Sequence, residues 1–384
     1  MQFEFATAGR IVFGAGVAST LGREAAALGR RAFVLTGGRP QAHASLLRLL
    51  EDHHVAHTPF RVTREPTTDL VLEAVERAAA HTCDLVVGIG GGSVIDAGKV
   101  VAALLTNGGD IMDYLEVVGR GKPLGRTSAP YIALPTTAGT GAEVTRNAVL
   151  ESPRHRVKVS MRSPFMLPRL ALVDPELTYS MPPALTAATG LDALTQLLEA
   201  FVSRGANPLT DGVCREGLAR AGRGLQRACE DGTDRDARAD MSVASLCSGL
   251  ALANAKLGAV HGIAGPFGGR FKAPHGAVCG RLLPFVTAAN IAALRARALE
   301  APALDRYAEA ARLVTGTPSA TAADVLPWLE GLCAHLKVPG LASFGYGEDD
   351  AEAIIPAALR SSSMRGNPVD LTAEELRAVL NRAR

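Results

Sequence analysis

The stretch Asp84–Leu105, DLVVGIGGGSVIDAGKVVAALL, passes from a β-rich apolar run through three glycines into an alanine- and valine-rich run of helical character. A strand without polar alternation is one buried on both faces, as in a parallel sheet. Gly90, Gly91 and Gly92 allow the backbone to come close to a bulky anion. The helix that follows aims its unpaired N–H groups at the same place, which suits a pyrophosphate. Ser93 and Asp96 have the spacing of an N-cap and its N3 partner, so a capping-box-like start is predicted, with both residues at the cofactor site. The run is not G-x-G-x-x-G, and a tight turn without a ligand is the alternative reading.

Working outward, RIVFG, RAFVLT, PYIALPTT and LALVD repeat the apolar strand pattern. ASTLGREAAALG, HASLLRLLEDH and DLVLEAVERAAAH alternate with them as helices. That alternation implies an α/β layer with a parallel sheet. After Pro182 and Pro183 strand-like runs nearly vanish, and LTAATGLDALTQLLEAFVS, LTDGVCREGLARAGRGLQRACE and ARADMSVASLCSGLALANA carry helical periodicity. The expected organisation is an α/β dinucleotide-binding domain over residues 1–180 and an all-α domain over 181–384, with a small-molecule cleft between them.

A second polar turn, TTAGTGAEVT, follows PYIALPTT and offers the hydroxyls of Thr136, Thr137 and Thr140. Ligands of open α/β sheets sit outside the carboxyl ends of strands, so two such turns together favour a nucleotide site. RAFVLT ends in Gly37, Gly38 and Arg39, with no acid to hold ribose hydroxyls. An arginine there pairs with a 2′-phosphate, so NADP is expected to be accepted alongside NAD; a turn indifferent to the cofactor is the alternative.

Composition narrows the partners. Hydrophobic residues make up 47% and charged residues 20%, as in a soluble globular protein rather than a disordered chain. A net charge of +2, with scattered arginines, gives no footprint for nucleic acid or an anionic membrane. Six dispersed cysteines without a C-x-x-C read as buried thiols of a reducing, cytoplasmic compartment. MQFEFATAGR lacks the pattern of a secretory signal, and glycines, Asp96 and Lys99 interrupt the longest apolar run.

The chemistry concentrates in the second half. In TGLDALTQLLEAF, Asp192 and Gln196 are four apart and share one helix face. In AVHGIAGPFGGRFKAPHGAVCG, His261 and His275 bracket glycine-rich turns. Two imidazoles and a carboxylate suit Fe(II) or Zn(II) with a position left open for substrate.

On these pieces the chain resembles the iron-containing (group III) alcohol dehydrogenases over essentially its full length. GGGSVIDAGK, ALPTTAGTGAEVT, ALVDPELT, ANPLTDG, GAVHGIAGPFGG, APHGAVCG and NPVDLTAEEL follow in that family's order. The resemblance implies a dehydroquinate synthase-like architecture, a homodimer or larger assembly, and hydride transfer between NAD(P) and a small alcohol, aldehyde or ketone. It implies metal ligands at Asp192, position 196, His261 and His275, and cofactor contacts at Gly91, Gly92, Ser93, Thr136, Thr137 and Lys158. Three departures stand out: Gln196 replaces a usual histidine, Gly265 replaces a histidine beside the nicotinamide, and Gly37 stands where NAD-preferring members tend to have aspartate.

An amide oxygen is a weaker donor than imidazole, so Gln196 is expected to be a weak fourth ligand or a hydrogen-bond partner of the ligands. Without an imidazole at 265, proton transfer falls to water, a substrate hydroxyl, or His275 if it is not bound to metal. Lys158 is the other candidate in the catalytic machinery, with an ordinary solvated lysine as the alternative. Competing readings are a metal-free carbonyl reductase of the same fold, a dehydroquinate synthase-like lyase, and a nucleotide-binding protein without catalysis.

Overall fold

The computed structural model describes residues 1–155 and 157–384, and of Pro40 only the backbone. The chain forms two compact units, one of Ala6–Thr137 with Gly141–Thr178, the other of Tyr179–Arg384 with Met1–Phe5 and Ala138–Thr140.

Among the described residues the first unit carries eight strands: β1 (Ile11–Phe13), β2 (Arg31–Thr36), β3 (Ala56–Arg61), β4 (Leu85–Gly90), β5 (Tyr131–Pro135), β6 (Asn147–Ser152), β7 (Val157–Arg162) and β8 (Leu170–Val173). Its longer helices are α1 (Leu21–Ala26), α2 (Ala44–Asp52), α3 (Thr68–Ala80) and α4 (Gly92–Asn107). Six strands form one parallel sheet in the order β1-β8-β5-β4-β2-β3, as the apolar runs predict. Alternate residues feed two cores. Phe33, Leu35, Val86 and Ala133 pack with α3 and α4, while Val34, Leu85, Val87 and Leu134 pack with α1 and α2.

From β2 the chain first steps to β3 on one side, then returns to β4 on the other and continues to β5 and β8. The topological switch point therefore lies between β2 and β4, where open α/β sheets bind ligands. Gly37–Arg39 follows one of these strands and Gly90–Gly92 the other.

Three strands have no counterpart in the apolar pattern. β3 (AHTPFR) is an edge strand that tolerates Pro59, because an edge leaves one row of backbone groups unpaired. β6 and β7 form a separate antiparallel hairpin with one buried face.

The second unit is helical: α5 (Pro183–Val202), α6 (Pro208–Glu230), α7 (Arg235–Asn254), α8 (Ala259–Arg270), α9 (His275–Arg297), α10 (Ala303–Thr315), α11 (Val325–His335), α12 (Ala351–Arg360) and α13 (Ala373–Arg382). α5 is buried nearly all round and packs against α6, α7 and α9. α9 is long and apolar enough to cross a membrane, yet it lies mostly buried in this core. Trp328 on α11 sits half-buried against the same core.

The crossing of α5 and α9 decides the chemistry. A β-carbon on Gly276 would lie 2.1 Å from the Ala188 carbonyl oxygen, and one on Gly280 would lie 2.6 Å from Leu191 Cδ1. Only the absence of side chains at these two positions, one turn apart, lets the start of α9 seat against α5.

Candidate functional site

In the sheet-bearing unit the two polar turns meet at neighbouring strand ends. Gly90 pairs with Pro135, and the Thr136 N–H donates to the Gly90 carbonyl at 3.0 Å. A β-carbon on Gly91 would come within 3.2 Å of the Thr137 side chain, so the glycine keeps this surface open.

α4 starts two residues earlier than the predicted capping box requires. Gly91 is its N-cap and no side chain caps it; Gly92 and Ser93 are its first two residues. The first N–H groups are thus left to an anion. The capping pair is corrected accordingly: Asp96 turns instead toward the β6–β7 hairpin, where one oxygen accepts from the Val149 N–H at 3.0 Å and the other lies 3.4 Å from Lys99 Nζ. Both oxygens of that carboxylate thus have partners within the protein.

Ala138–Thr140 belongs to the helical unit, and the Gly139 carbonyl accepts from the Ser248 hydroxyl at 3.2 Å. Thr136 and Thr137 stay at the sheet edge. At the end of β2, Gly37 is open and Arg39 exposed. Arg61, at the end of β3, donates to the Gly38 carbonyl at 2.9 Å and adds a second cation to this turn. Lys158 on β7 gives its ammonium to Glu65 at 2.7 Å.

The helical unit gathers a different set. Asp192 on α5, His261 on α8, and His275 and Cys279 on α9 present donor atoms all within 4.8 Å of one another. His261 Nε2 is 3.4 Å and His275 Nε2 3.8 Å from Asp192 Oδ1. Cys279 Sγ is 3.6 Å from His275 Nε2 and 3.9 Å from His261 Nε2. Among the described residues, Asp192 Oδ1 and Gln196 Oε1 are buried with no hydrogen-bond partner. An orphaned buried carboxylate oxygen beside two imidazoles fits a divalent cation.

Electrostatics within the set is reciprocal. Burial alone would raise the Asp192 pKa, but the facing imidazoles of His261 and His275 outweigh it and hold it below the usual carboxylate range. Burial likewise opposes the Cys279 thiolate, and His275 and His261 outweigh it, lowering the thiol. His261 is raised well above its ordinary value despite burial, by Cys279, Asp192 and Glu199.

Two residues here escaped the sequence reading. Glu199 lies on the same face of α5 as Asp192 and Gln196, and its Oε2 is 2.7 Å from His261 Nδ1. Its other oxygen accepts from the Val260 N–H at 2.6 Å, and Asn367 Oδ1 accepts from the Ala259 N–H at 3.0 Å. α8 has no side-chain cap of its own, so these two residues satisfy its first N–H groups from across the core. Glu199 thereby holds the His261 ring with Nε2 toward Asp192. Its signal was positional, three residues after Gln196. Cys279 is the second; it stands four residues after His275, a spacing that places both on one helix face.

Residues 8–175 match the family model of iron-containing alcohol dehydrogenase, and residues 186–384 match the C-terminal model of the Fe-containing alcohol dehydrogenase family. The chain belongs to the iron-containing alcohol dehydrogenase family. It is 36% identical over 337 residues to alcohol dehydrogenase 4 of Schizosaccharomyces pombe, covering 87% of this chain and 77% of that one. It is 34% identical over 326 residues to the NAD-dependent methanol dehydrogenase of Bacillus methanolicus, covering 83% and 82%. The solved structure of a 1,3-propanediol oxidoreductase superposes with a TM-score of 0.92 at 30% identity, over 100% of both chains.

This iron-containing alcohol dehydrogenase is therefore an oxidoreductase of alcohols, of a family that works with NAD(H) and a divalent metal. Neither the lyase nor the metal-free reductase is favoured by these relationships. Against the family pattern, Gly265 is exposed on α8, and a β-carbon there would meet nothing within 4 Å. The space of the missing histidine is open rather than filled by another side chain.

Proposed function

We propose that this dehydrogenase moves hydride between a nicotinamide cofactor held by its sheet-bearing unit and the carbonyl carbon of a small alcohol–aldehyde or alcohol–ketone pair. In this reading Asp192, His261 and His275 of the helical unit hold a divalent metal. The observation that carries it is the orphaned, buried Asp192 Oδ1 beside the two imidazoles, with Gln196 one turn further along the same helix face. When bound, the metal supplies Lewis-acid stabilisation of the negative charge that develops on the substrate oxygen.

The protein's own residues do the rest. The uncapped start of α4 at Gly92 and Ser93, with Gly91, Thr136 and Thr137 beside it, receives the pyrophosphate. Glu199 fixes the tautomer and direction of His261. His275 is assigned to the metal rather than to proton transfer, and the proton reaches the substrate oxygen through water or a substrate hydroxyl. Lys158, tethered by Glu65, serves the cofactor's ribose rather than the reacting carbon.

The open Gly37 with Arg39 and Arg61 supports use of NADP as well as NAD, because two guanidinium groups beside a turn without an acid favour a 2′-phosphate. A cytoplasmic location agrees with six free cysteines, and a homodimer or larger assembly is the expected state, to be read by light scattering. Metal content of gently purified enzyme, with activity after chelation and re-addition, tests the central reading. Full activity without metal would reject it. Comparing kcat/KM for NADPH and NADH tests the cofactor reading, and a large NADH preference defeats it.

A further inference from the structure

We infer that Cys279 is a metal ligand, its thiolate supplying the fourth donor in place of Gln196, so that the site is an Asp-His-His-Cys centre suited to zinc. This rests on the metal reading above and specifies its donor set.

Geometry carries the inference. Tetrahedral bonds of about 2.0–2.2 Å to nitrogen and oxygen and about 2.3 Å to sulfur require donor–donor edges of about 3.3–3.6 Å. The observed edges are 3.4 Å for His261 Nε2 to Asp192 Oδ1 and 3.8 Å for His275 Nε2 to Asp192 Oδ1. Those to Cys279 Sγ are 3.6 and 3.9 Å. The two remaining pairs, His261 with His275 and Asp192 with Cys279, lie within the 4.8 Å that bounds the whole set, and side-chain rotation on metal uptake would draw the longer edges in. Cys279 and His275 are four apart on α9, and the bare crossing at Gly276 and Gly280 presses their face against Asp192.

An independent observation points to a cation at the same place: Asp192 is only 3% exposed, and its Oδ1 has no hydrogen-bond partner. Charge also favours sulfur over the amide. Asp192 and a thiolate together balance a divalent ion in a buried site, whereas Asp192 with the neutral Gln196 leaves an excess positive charge. A soft thiolate shifts preference toward zinc and away from iron. On metal uptake the Cys279 S–H proton is released to solvent as the metal–sulfur bond forms.

The test begins with X-ray absorption at the zinc edge on zinc-loaded wild-type protein without nucleotide. One sulfur neighbour at about 2.3 Å is expected; a shell of nitrogen and oxygen alone overturns the assignment while leaving the metal reading intact. In parallel, Co(II)-loaded protein should show a near-ultraviolet sulfur-to-metal charge-transfer band. Cys279→Ser should lose this band, and Gln196→Ala should retain it. Loss of the band in Gln196→Ala together with its persistence in Cys279→Ser would also overturn the assignment. Wild-type protein that takes up neither zinc nor cobalt would bring down both this inference and the metal reading on which it rests.

Discussion

Replacing Gly276 by alanine tests how the helix crossing builds the metal site. The new β-carbon would stand 2.1 Å from the Ala188 carbonyl oxygen and 3.2 Å from Asp192 Cβ. Relief to an ordinary contact of about 3.4 Å requires the start of α9 to retreat by roughly 1.3 Å. Overpacking of this kind costs about 1–3 kcal/mol. At about 2–4 °C per kcal/mol for a domain of this size, Tm should fall by about 2–12 °C. The chemical effect should be larger than the thermal one. Metal–ligand distances tolerate about 0.2 Å, and the retreat carries His275 and Cys279 away from Asp192 by several times that. Differential scanning fluorimetry and metal analysis of the purified variant read both effects. Gly269→Ala is the control, since that position on α8 is exposed and a β-carbon there meets nothing within 4 Å. If Gly276→Ala keeps wild-type Tm and wild-type metal content, the crossing does not position the ligands and the reasoning fails.

Glu199→Ala should weaken metal binding by about 10–100-fold in a chelator competition, with partial recovery in Glu199→Gln; unchanged affinity would mean that His261 is oriented by something else. Burial pushes the Glu143 carboxyl up to about 7 from 4.5, against its own backbone N–H and the charge of Lys99. The folded state then binds more protons than the unfolded state between those values, so stability is lost as pH rises through this window, by about 3 kcal/mol in total. Glu143→Gln should flatten that slope in denaturant melts from pH 4.5 to 8, and an unaltered pH profile would refute the assignment. Gly265→His places an imidazole in open space on α8 and should add a titration near pH 6.5 to the kcat profile for aldehyde reduction; a profile without that limb would separate position 265 from proton transfer.

Local periodicity made much of the fold legible. The parallel strands announced themselves because burial on both faces leaves no polar alternation in RAFVLT or LVVGIG. β3 was obscured by Pro59, and the β6–β7 hairpin by its half-polar faces, since both depend on partners distant in the chain. The same boundary runs through the site. Asp192 and Gln196 were visible as a pair because helical spacing is local, whereas Asp96 looked like a cap until the Val149 N–H and Lys99 claimed its oxygens.

Glu199 stood in the same helical stretch as Asp192, but its purpose depends on two N–H groups about sixty residues away in the sequence. Cys279 repeated the four-residue spacing from His275, yet a thiol gains meaning only from what faces it across a helix crossing. Sequence by itself determined the strands buried on both faces, the long helices and which side chains share a face, because those follow from apolar runs and from backbone periods of two and 3.6 residues. Tertiary structure alone decided which faces meet, because that depends on the close approach of α9 to α5 over Gly276 and Gly280, a contact between atoms nearly ninety residues apart.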